Sequence, residues 1–190
     1  MSKLKLGLGV CGSYCTYEKL YGALDDLCRS FEVQPIMTKT AAETDTRFGK
    51  AADHIKKLEE MTGKQVLTEI SQVEPLGPSG AIEAMLIAPC TGNTLAKLAS
   101  GITDSSVTMA AKGLLRNGKP IILAISTNDG LSGSAENIAK LLNKKNIYFV
   151  PFAQDDPVKK PTSLVADFDF TVEAIESAVK GQQIQPLLAK

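Results

Sequence analysis

The sequence predicts an α/β protein with three layers, in which a mostly parallel sheet lies between two layers of helices. Short apolar runs typical of buried strands alternate along the chain with longer segments whose apolar residues recur at helical spacing. This alternation is typical of parallel sheets, because a helix can carry the chain back to the start of the next strand. The chain shows no internal repeat, low-complexity segment or linker, so residues 1–190 are predicted to form a single domain.

The composition is that of an ordinary globular protein and argues against several classes of function. The 190 residues are enough to bury a sizeable core, and 44% of them are hydrophobic. The 21 basic residues are balanced by 21 acidic ones, which argues against general binding to nucleic acids or membrane surfaces. No apolar run approaches the ~20 residues of a membrane span, and no signal peptide precedes the first strand. We therefore expect a cytoplasmic protein.

The first half of the chain is predicted to contain four strands and two helices. The strands cover residues 3–10, Glu32–Met37, 66–70 and 84–88, and the helices cover residues 16–30 and 47–62. In the first helix Leu20, Leu24 and Leu27 share one face, as the core side of a helix requires. Pro35 has no N–H to donate to a neighbouring strand, so the second strand is expected to be irregular or near an edge of the sheet.

The second half of the chain is predicted to contain four helices and two strands. The helices cover residues 93–100, 105–116, 134–143 and 171–180, and the strands cover residues 120–126 and 147–150. Gly101 is placed to end the first of these helices. The run P-I-I-L-A-I-S is the clearest strand of the chain. Residues 151–169 carry several Pro and Asp residues and are predicted to form a loop.

Polar residues follow the predicted strands at the points where sheets of this kind bind ligands. Ligands of open parallel sheets bind at the carboxyl ends of the strands. Four segments stand there: C-G-S-Y, T-K-T-A, P-C-T-G-N-T and S-T-N-D-G. Their hydroxyl groups, together with N–H groups at helix N-termini, are suited to a phosphate monoester. The alternative is that each Ser or Thr only caps the helix that follows it.

The first turn contains the spacing of a dinucleotide-binding fingerprint, Gly7-x-Gly9-x-x-Gly12. That fingerprint also requires an acidic residue at the end of the second strand, where the ribose hydroxyls lie. The second strand ends instead in I-M-T-K-T. Close packing inside the strand also explains Gly7 and Gly9. We therefore expect a smaller phosphate-bearing ligand at Gly12 and Ser13 rather than a dinucleotide.

Three segments in the same order resemble motifs of one family, the homo-oligomeric flavin-containing cysteine decarboxylases. Residues 89–94, P-C-T-G-N-T, resemble the P-A-S-A-N-T motif of that family, and Gly101 and Asp104 match the G-x-x-D that follows it. The opening K-L-G-L-G-V-C-G-S and the later M-T-K-T-A resemble its first strand and its T-x-S-A element. The resemblance implies a Rossmann-like flavoprotein fold, a bound FMN, and assembly into trimers or dodecamers.

The resemblance also implies which residues bind FMN. The candidates are Gly12, Ser13, Thr38, Thr40, Pro89, Thr91, Asn93, Thr94 and Ser126. Asn93 is in addition the candidate catalytic residue, because its amide is suited to orienting the flavin or the substrate. No metal site is predicted, since the four cysteines form no paired C-x-x-C set and the chain has a single histidine.

A second resemblance extends over nearly the whole chain. Residues 107–127 and the N-D-G-L-S-G-S-A-E-N-I that follows are similar to a member of the same superfamily that forms one subunit of an oxidoreductase in spore-forming bacteria. It implies oxidation of a dihydropyridine dicarboxylate together with a second subunit, which supplies a nicotinamide cofactor such as NADP. A dicarboxylate needs cations, and the nearest in sequence to the candidate site are Lys39, Lys97, Lys112 and Arg116.

Three alternative functions remain open. A cysteine decarboxylase of the family needs a histidine shortly before the strand that ends at Pro89, and the segment Q-V-E-P-L-G-P-S-G-A-I-E has none. A flavin prenyltransferase, or a non-catalytic partner of the second subunit, is compatible with the same motifs. His54, the single histidine, is expected on the surface of a polar helix. Cys90 is expected to be a small residue beside the cofactor rather than a nucleophile.

Overall fold

A seven-stranded sheet forms the centre of the structure, a computed structural model that describes residues 3–189. The strands are β1 Lys5–Val10, β2 Glu32–Met37, β3 Ala84–Cys90, β4 Ile121–Thr127, β5 Ile147–Phe149, β6 Phe152–Asp156 and β7 Lys160–Ala166. Their order is β2-β1-β3-β4-β7-β6, and β5 also pairs with β4. β1 to β5 pair in parallel, whereas β7 is antiparallel to both β4 and β6. The predicted fold class, a Rossmann-like α/β fold with a mostly parallel sheet, is confirmed.

Helices flank the sheet and connect its strands. They are α1 Tyr17–Ser30, α2 Lys39–Glu43, α3 Ala51–Thr62, α4 Ile70–Val73, α5 Gly92–Ser100, α6 Ser106–Arg116, α7 Ala135–Leu142 and α8 Thr171–Val179. In α1, the leucines that share one face of the helix are fully buried, as their spacing predicts. α5 ends at Gly101, whose φ of 72° lies in the left-handed region that glycine adopts without strain. None of the helices within residues 3–189 is long and apolar enough to cross a membrane.

The second strand lies at the edge of the sheet, as Pro35 predicts. On one side β2 pairs in parallel with β1, where Pro35 is the partner of Leu8. On the other side no strand within residues 3–189 continues the sheet, and the Pro35 carbonyl accepts a hydrogen bond from the Leu67 N–H at 3.1 Å. The missing N–H of the proline therefore costs the sheet nothing at this position.

Two of the predicted elements are wrong, and a third begins later than expected. Residues 66–70 form no strand: Leu67 makes one isolated bridge to Ile36, and α4 begins at Ile70. Residues 151–169 are not a loop, because they contain the β6–β7 hairpin. The helix predicted over residues 47–62 begins only at Ala51, and the short helix α2 precedes it.

Close packing between β1, β3 and α6 explains one glycine of the apparent fingerprint. A Cβ atom on Gly9 would lie 2.8 Å from the Met85 Cε atom and 3.0 Å from the Val107 Cγ1 atom. A side chain there would force Met85 and Val107 to move, so glycine suits the close packing of the sheet against α6. The expectation that glycine serves packing inside this strand agrees with the structure.

The partner of β4 changes along its length. Its first half, Ile121 to Leu123, pairs in parallel with β5, whereas Ser126 and Thr127 pair with β7 in the antiparallel direction. The β6–β7 hairpin is therefore placed beside the carboxyl end of β4, at the edge of the sheet where ligands bind in this fold class.

Candidate functional site

The carboxyl ends of β1, β2, β3 and β4 meet at one edge of the sheet, where two cavities adjoin. The first compartment, about 370 Å³, is lined by the sequence-predicted residues Gly12, Thr38, Thr40, Thr91, Asn93 and Thr94. The second compartment, about 400 Å³, is lined by Gly12, Ser13, Thr91, Ser126, Phe48 and Lys160 among others. Gly12 and Thr91 belong to both walls, so they form the boundary between the compartments.

Two of the predicted hydroxyl residues cap helices. Thr91 Oγ1 accepts a hydrogen bond from the Thr94 N–H at 3.3 Å and begins α5, and Thr38 Oγ1 accepts one from the Ala41 N–H at 3.3 Å and begins α2. The capping alternative therefore holds for Thr91 and Thr38. Capping does not remove them from the site, because both residues line the first compartment beside the first turns of their helices.

The donor set of the first compartment fits a phosphate group. The backbone N–H groups of Asn93 and Ser106, near the starts of α5 and α6, line this compartment and have no hydrogen-bond acceptor within residues 3–189. The Thr40 hydroxyl and the Asn93 amide also make no side-chain hydrogen bond within that range. Free donors together with the positive ends of helix dipoles are what a phosphate monoester requires. FMN therefore fits this compartment through its phosphate.

Two further predicted residues, Ser13 and Ser126, form a hydroxyl network with Thr16 in the second compartment. Ser13 Oγ lies 2.7 Å from Ser126 Oγ, which in turn lies 3.2 Å from Thr16 Oγ1. Ser126 is buried at the end of β4, and Ser13 follows β1, so the network ties two strand ends together. The structure thus divides the predicted set: Ser13 and Ser126 face the second compartment, whereas Thr40 and Asn93 line the first.

Pro89 does not contribute a side-chain contact to either compartment. It is buried within β3, and the register between β3 and β4 shifts between Ile87 and Cys90. Among the predicted cofactor residues it is the one that lines neither cavity. Pro89 therefore acts on the site only indirectly. It shapes the end of β3, and Thr91 and Asn93 follow directly after that strand.

The two cysteines near the site are buried and protonated. Burial raises the pKa of the Cys11 thiol to about 11, although the Thr94 hydroxyl donates to its Sγ atom at 3.3 Å. Burial raises the pKa of Cys90 well above its ordinary value, and nearby Cys11 adds to the shift. A thiolate is needed for nucleophilic attack, so Cys90 is better explained as a small packing residue.

The expectation that His54 lies on the surface is wrong. Its side chain is 7% exposed and packs edge-on against Tyr17 at 4.8 Å between ring centroids. Nδ1 is hydrogen-bonded to the Tyr21 hydroxyl at 2.8 Å, and Nε2 has no partner within the described residues. Burial lowers its pKa, which favours the neutral form of the ring. His54 lines neither compartment and belongs to an aromatic cluster.

Only two of the four candidate cations lie at the site. Lys39 and Lys97 line the first compartment, and Lys97 Nζ donates to Asp104 at 2.8 Å, which lowers the pKa of that carboxyl group. Lys112 and Arg116 share a face of α6 as predicted, but they line a separate groove on its outer side. They therefore do not contact a ligand held at the strand ends.

Several residues of both walls were not predicted from the sequence. Lys19, Phe48, Lys160 and Ser163 line the second compartment, and Glu69 lines the first. Lys160 and Ser163 belong to β7, which lies within a segment predicted to be a loop. The pairing of Ser126 with Val165 brings β7 to the site, and no local pattern signals this contact between distant segments.

Comparisons with known proteins agree on one family. A family model described as Flavoprotein matches residues 1–179. The chain is 46% identical over 194 residues to the B subunit of dipicolinate synthase of Bacillus subtilis (strain 168), with 100% of this chain and 97% of that protein covered. The crystal structure of the B subunit of dipicolinate synthase from Bacillus halodurans matches with a TM-score of 0.90 at 42% identity, over 100% of this chain and 99% of that one.

A more distant structure shows the same fold. The FMN-dependent cysteine decarboxylase SpaF matches with a TM-score of 0.67 at 19% identity, over 95% of this chain and 98% of that one. At this identity the match concerns the course of the chain and not its chemistry. It therefore supports the fold assignment alone.

Proposed function

The chain belongs to the Flavoprotein family, and from this premise we propose that it acts as the B subunit of a dipicolinate synthase. The observation that carries the proposal is the 46% identity to the Bacillus subtilis protein over the full length of this chain. The proposed reaction is the oxidation of dihydrodipicolinate to dipicolinate, pyridine-2,6-dicarboxylate, together with the separate A subunit of that enzyme. Its proposed location is the cytoplasm of the mother cell during sporulation.

The proposed cofactor is FMN, held by the first compartment. Its phosphate would accept hydrogen bonds from the Thr40 hydroxyl and from the backbone N–H groups of Asn93 and Ser106, beside Gly12. When bound, a flavin can accept a hydride from a dihydropyridine. The other acceptor consistent with the proposal is a nicotinamide, such as NADP, brought by the A subunit.

The chain itself would contribute binding and orientation. Formation of the aromatic pyridine removes a hydride and a proton from the dihydropyridine, so the reacting carbon must be held against the hydride acceptor. Asn93 is the proposed catalytic residue, because its side chain lines the first compartment and makes no internal hydrogen bond within residues 3–189. Its amide would orient the substrate or the flavin ring through one donor and one acceptor.

The decarboxylase alternative has no histidine to support it. The single histidine of the chain is packed among Tyr17 and Tyr21 and lines neither compartment. A non-catalytic role beside the A subunit needs no such residue and is therefore an outcome of the test below. The resemblance to homo-oligomeric flavoproteins leads us to propose self-association into trimers or dodecamers as well.

The test is an assay of dihydrodipicolinate oxidation with this chain and the A subunit, each alone and mixed, with FMN and NADP added or omitted. We expect activity only in the mixture, together with a yellow chain that loses activity when FMN is removed. Asn93→Ala should lower kcat and weaken FMN binding, because it removes a free amide of the first compartment, and Asn143→Ala, a surface amide at the end of α7, should change neither. Activity that requires this chain but is indifferent to FMN would make it a non-catalytic partner. No effect of this chain in any mixture would exclude the proposed function.

A further inference from the structure

The first compartment has no excess of positive charge. Its two lysines both have carboxylates beside them: Lys97 Nζ lies 2.8 Å from Asp104, and Lys39 Nζ lies 3.9 Å from Glu43. Glu69 adds a further carboxylate to the same wall. What this compartment offers an anion is a set of backbone N–H groups at helix starts, which suits one tetrahedral phosphate.

The second compartment has the opposite balance of charge. Lys19 and Lys160 line it, and the single carboxylate among its lining residues is that of Asp155. Asp155 is bound to Lys160 Nζ at 2.6 Å and raises the pKa of that lysine. Lys19 forms no ion pair within residues 3–189. The lining therefore carries one net positive charge, and Lys19 and Lys160 together offer two cationic groups that two carboxylates of a small dianion could contact.

An aromatic ring forms part of the wall of the second compartment. Phe48 lines it and remains 45% exposed, so its ring is accessible to a ligand in this compartment. The residue is carried on a tight turn that is closed by two hydrogen bonds between Thr46 and Gly49, at 3.0 and 3.1 Å. The guanidinium of Arg47 lies over the ring, 4.8 Å from its centroid. A planar, anionic ring stacked near Phe48 would gain both aromatic and electrostatic contacts.

Polar groups of the second compartment are also available for hydrogen bonding. The Asn128 side chain makes no hydrogen bond within the described residues, since only its backbone carbonyl accepts one, from the Thr162 hydroxyl. The Gly92 N–H, at the start of α5, also lacks an acceptor there. A carboxylate is an acceptor-only group, so these donors match it without leaving an unpaired hydrogen.

We propose that the second compartment binds the pyridine dicarboxylate and that FMN occupies the first, so that substrate and cofactor meet across Gly12 and Thr91. The carboxylates would interact with Lys19, Lys160 and Asn128, and the ring would stack near Phe48. The proposal rests on the proposed function for the identity of the dicarboxylate. It adds the location of that ligand and the residues that select it.

The test measures the two ligands separately on the purified chain, with no other subunit present. Dipicolinate binding is followed by isothermal titration calorimetry, and FMN binding by quenching of flavin fluorescence. Two matched double variants change the charge equally: K19E/K160E in the second compartment and K39E/K97E in the first. We expect K19E/K160E to weaken dipicolinate binding by about tenfold or more while FMN binding changes less than about twofold. K39E/K97E should leave dipicolinate binding within about twofold.

Further variants and one analogue keep the test decisive. The neutral pairs K19Q/K160Q and K39Q/K97Q replace the charge reversals if either reversal unfolds the chain, as judged by circular dichroism. F48A should weaken dipicolinate binding with no effect on FMN. Benzene-1,3-dicarboxylate, which carries the same two carboxylates without the chelating nitrogen, should compete with dipicolinate if carboxylates are what the compartment recognises.

Three results would overturn the assignment of the compartments. If K39E/K97E loses dipicolinate binding and K19E/K160E does not, the dicarboxylate binds in the first compartment instead. Loss of both ligands in both pairs would indicate a single shared site. No binding of dipicolinate to the unmodified chain at millimolar concentration, with FMN still bound, would reject the dicarboxylate site while leaving the FMN part of the proposed function standing. Conversely, selective dipicolinate binding without turnover would reject the proposed reaction and keep the site.

Discussion

The two compartments share Gly12 and Thr91, yet they are built in different ways. The first is made of turns that directly follow β1, β2 and β3 and of the starts of α4, α5 and α6. The second depends on the β6–β7 hairpin, which reaches the site because β7 pairs with the end of β4. The difference shows that the helix caps of a binding wall can be encoded locally even when folding brings them together, whereas a strand that enters a wall through pairing carries no local signal.

The largest expected effect is at Gly92, which lines the second compartment and begins α5, the helix that carries Asn93 into the first. A Cβ atom there would lie 2.6 Å from Ser134 Oγ, 2.8 Å from Thr127 Oγ1 and 2.9 Å from Asp129 Oδ1. We expect Gly92→Ala to lower the free energy of unfolding by about 1–3 kcal/mol, measured by urea denaturation, because the hydrogen-bonded cluster must separate. Both ligands should bind more weakly.

The matched control for this substitution is Gly22→Ala, in the middle of α1. No atom lies within 4 Å of a Cβ atom added at Gly22, so alanine should stabilise the helix by up to about 1 kcal/mol. If Gly92→Ala unfolds at the same urea concentration as the unmodified chain, the cluster of Ser134, Thr127 and Asp129 accommodates the added methyl group without cost, and the prediction is wrong.

Gly130→Ala separates the compartments more sharply. Its Cβ atom would lie 2.6 Å from Leu164 Cγ, on the buried face of β7, and would push the hairpin away from β4. We expect a loss of about 1–3 kcal/mol in unfolding free energy together with weaker dipicolinate binding, measured by calorimetry. FMN affinity should not change, and a parallel loss of FMN binding would show that the two walls are not independent.

Thr91→Val tests the boundary through the helix cap. The substitution removes the hydroxyl that accepts from the Thr94 N–H and should cost about 1 kcal/mol of unfolding free energy. FMN binding, measured by fluorescence quenching, should weaken because the first turn of α5 is no longer fixed. Thr91→Ser keeps the hydroxyl and should restore both quantities, and failure of serine to do so would assign the effect to the lost methyl group.

The rate at which Cys15 reacts with a thiol reagent reports which ligand occupies the second compartment, with a smaller expected effect. Cys15 is exposed and lines the second compartment, whereas burial keeps Cys11 and Cys90 protonated. With a chromogenic disulfide reagent at neutral pH, we expect dipicolinate to slow the reaction of Cys15 several-fold and FMN to have no effect. Cys15→Ser identifies that phase, and protection by FMN rather than dipicolinate would exchange the roles of the compartments.

The smallest expected effect is the pH dependence that His54 contributes. Burial lowers the pKa of the folded histidine below its ordinary value near 6.5, so at acid pH the unfolded state binds the extra proton. Stability should therefore fall as the pH decreases below about 6.5. His54→Gln should flatten the change in unfolding free energy between about pH 7 and pH 5, measured in urea.

This effect also reaches the second compartment. A Cβ atom on Gly49 would lie 2.7 Å from His54 Nε2, so the turn that carries Phe48 rests directly on the ring. Charging the ring should loosen that turn, although Asp53 and Glu18 partly favour the charged form and Lys57 opposes it. If the unfolding free energy of His54→Gln falls as steeply with decreasing pH as that of the unmodified chain, groups other than His54 cause the loss of stability in acid.

Residues near in sequence to the strand ends could be predicted, and residues brought there by folding could not. Thr91 and Asn93 lie where β3 ends and α5 begins. The residues of this short segment determine both the end of the strand and the start of the helix. Lys112 and Arg116 were near the motif in sequence, yet α6 directs them to its outer groove. His54 was misplaced because the polar character of its helix gives no sign of the tyrosines from α1 that cover it.

The sequence by itself determined the order of most strands and helices, the capped helix starts and the glycine-bearing turns of the first compartment. These depend on spacing, on side-chain caps and on backbone freedom, all of which act within a few residues. Only the tertiary structure decided that β7 replaces β5 beside the end of β4, which brings Lys160 into a common cavity with Phe48. Strand pairing joins residues far apart in the chain, and its energy comes from packing and hydrogen bonds that exist only after the sheet has formed.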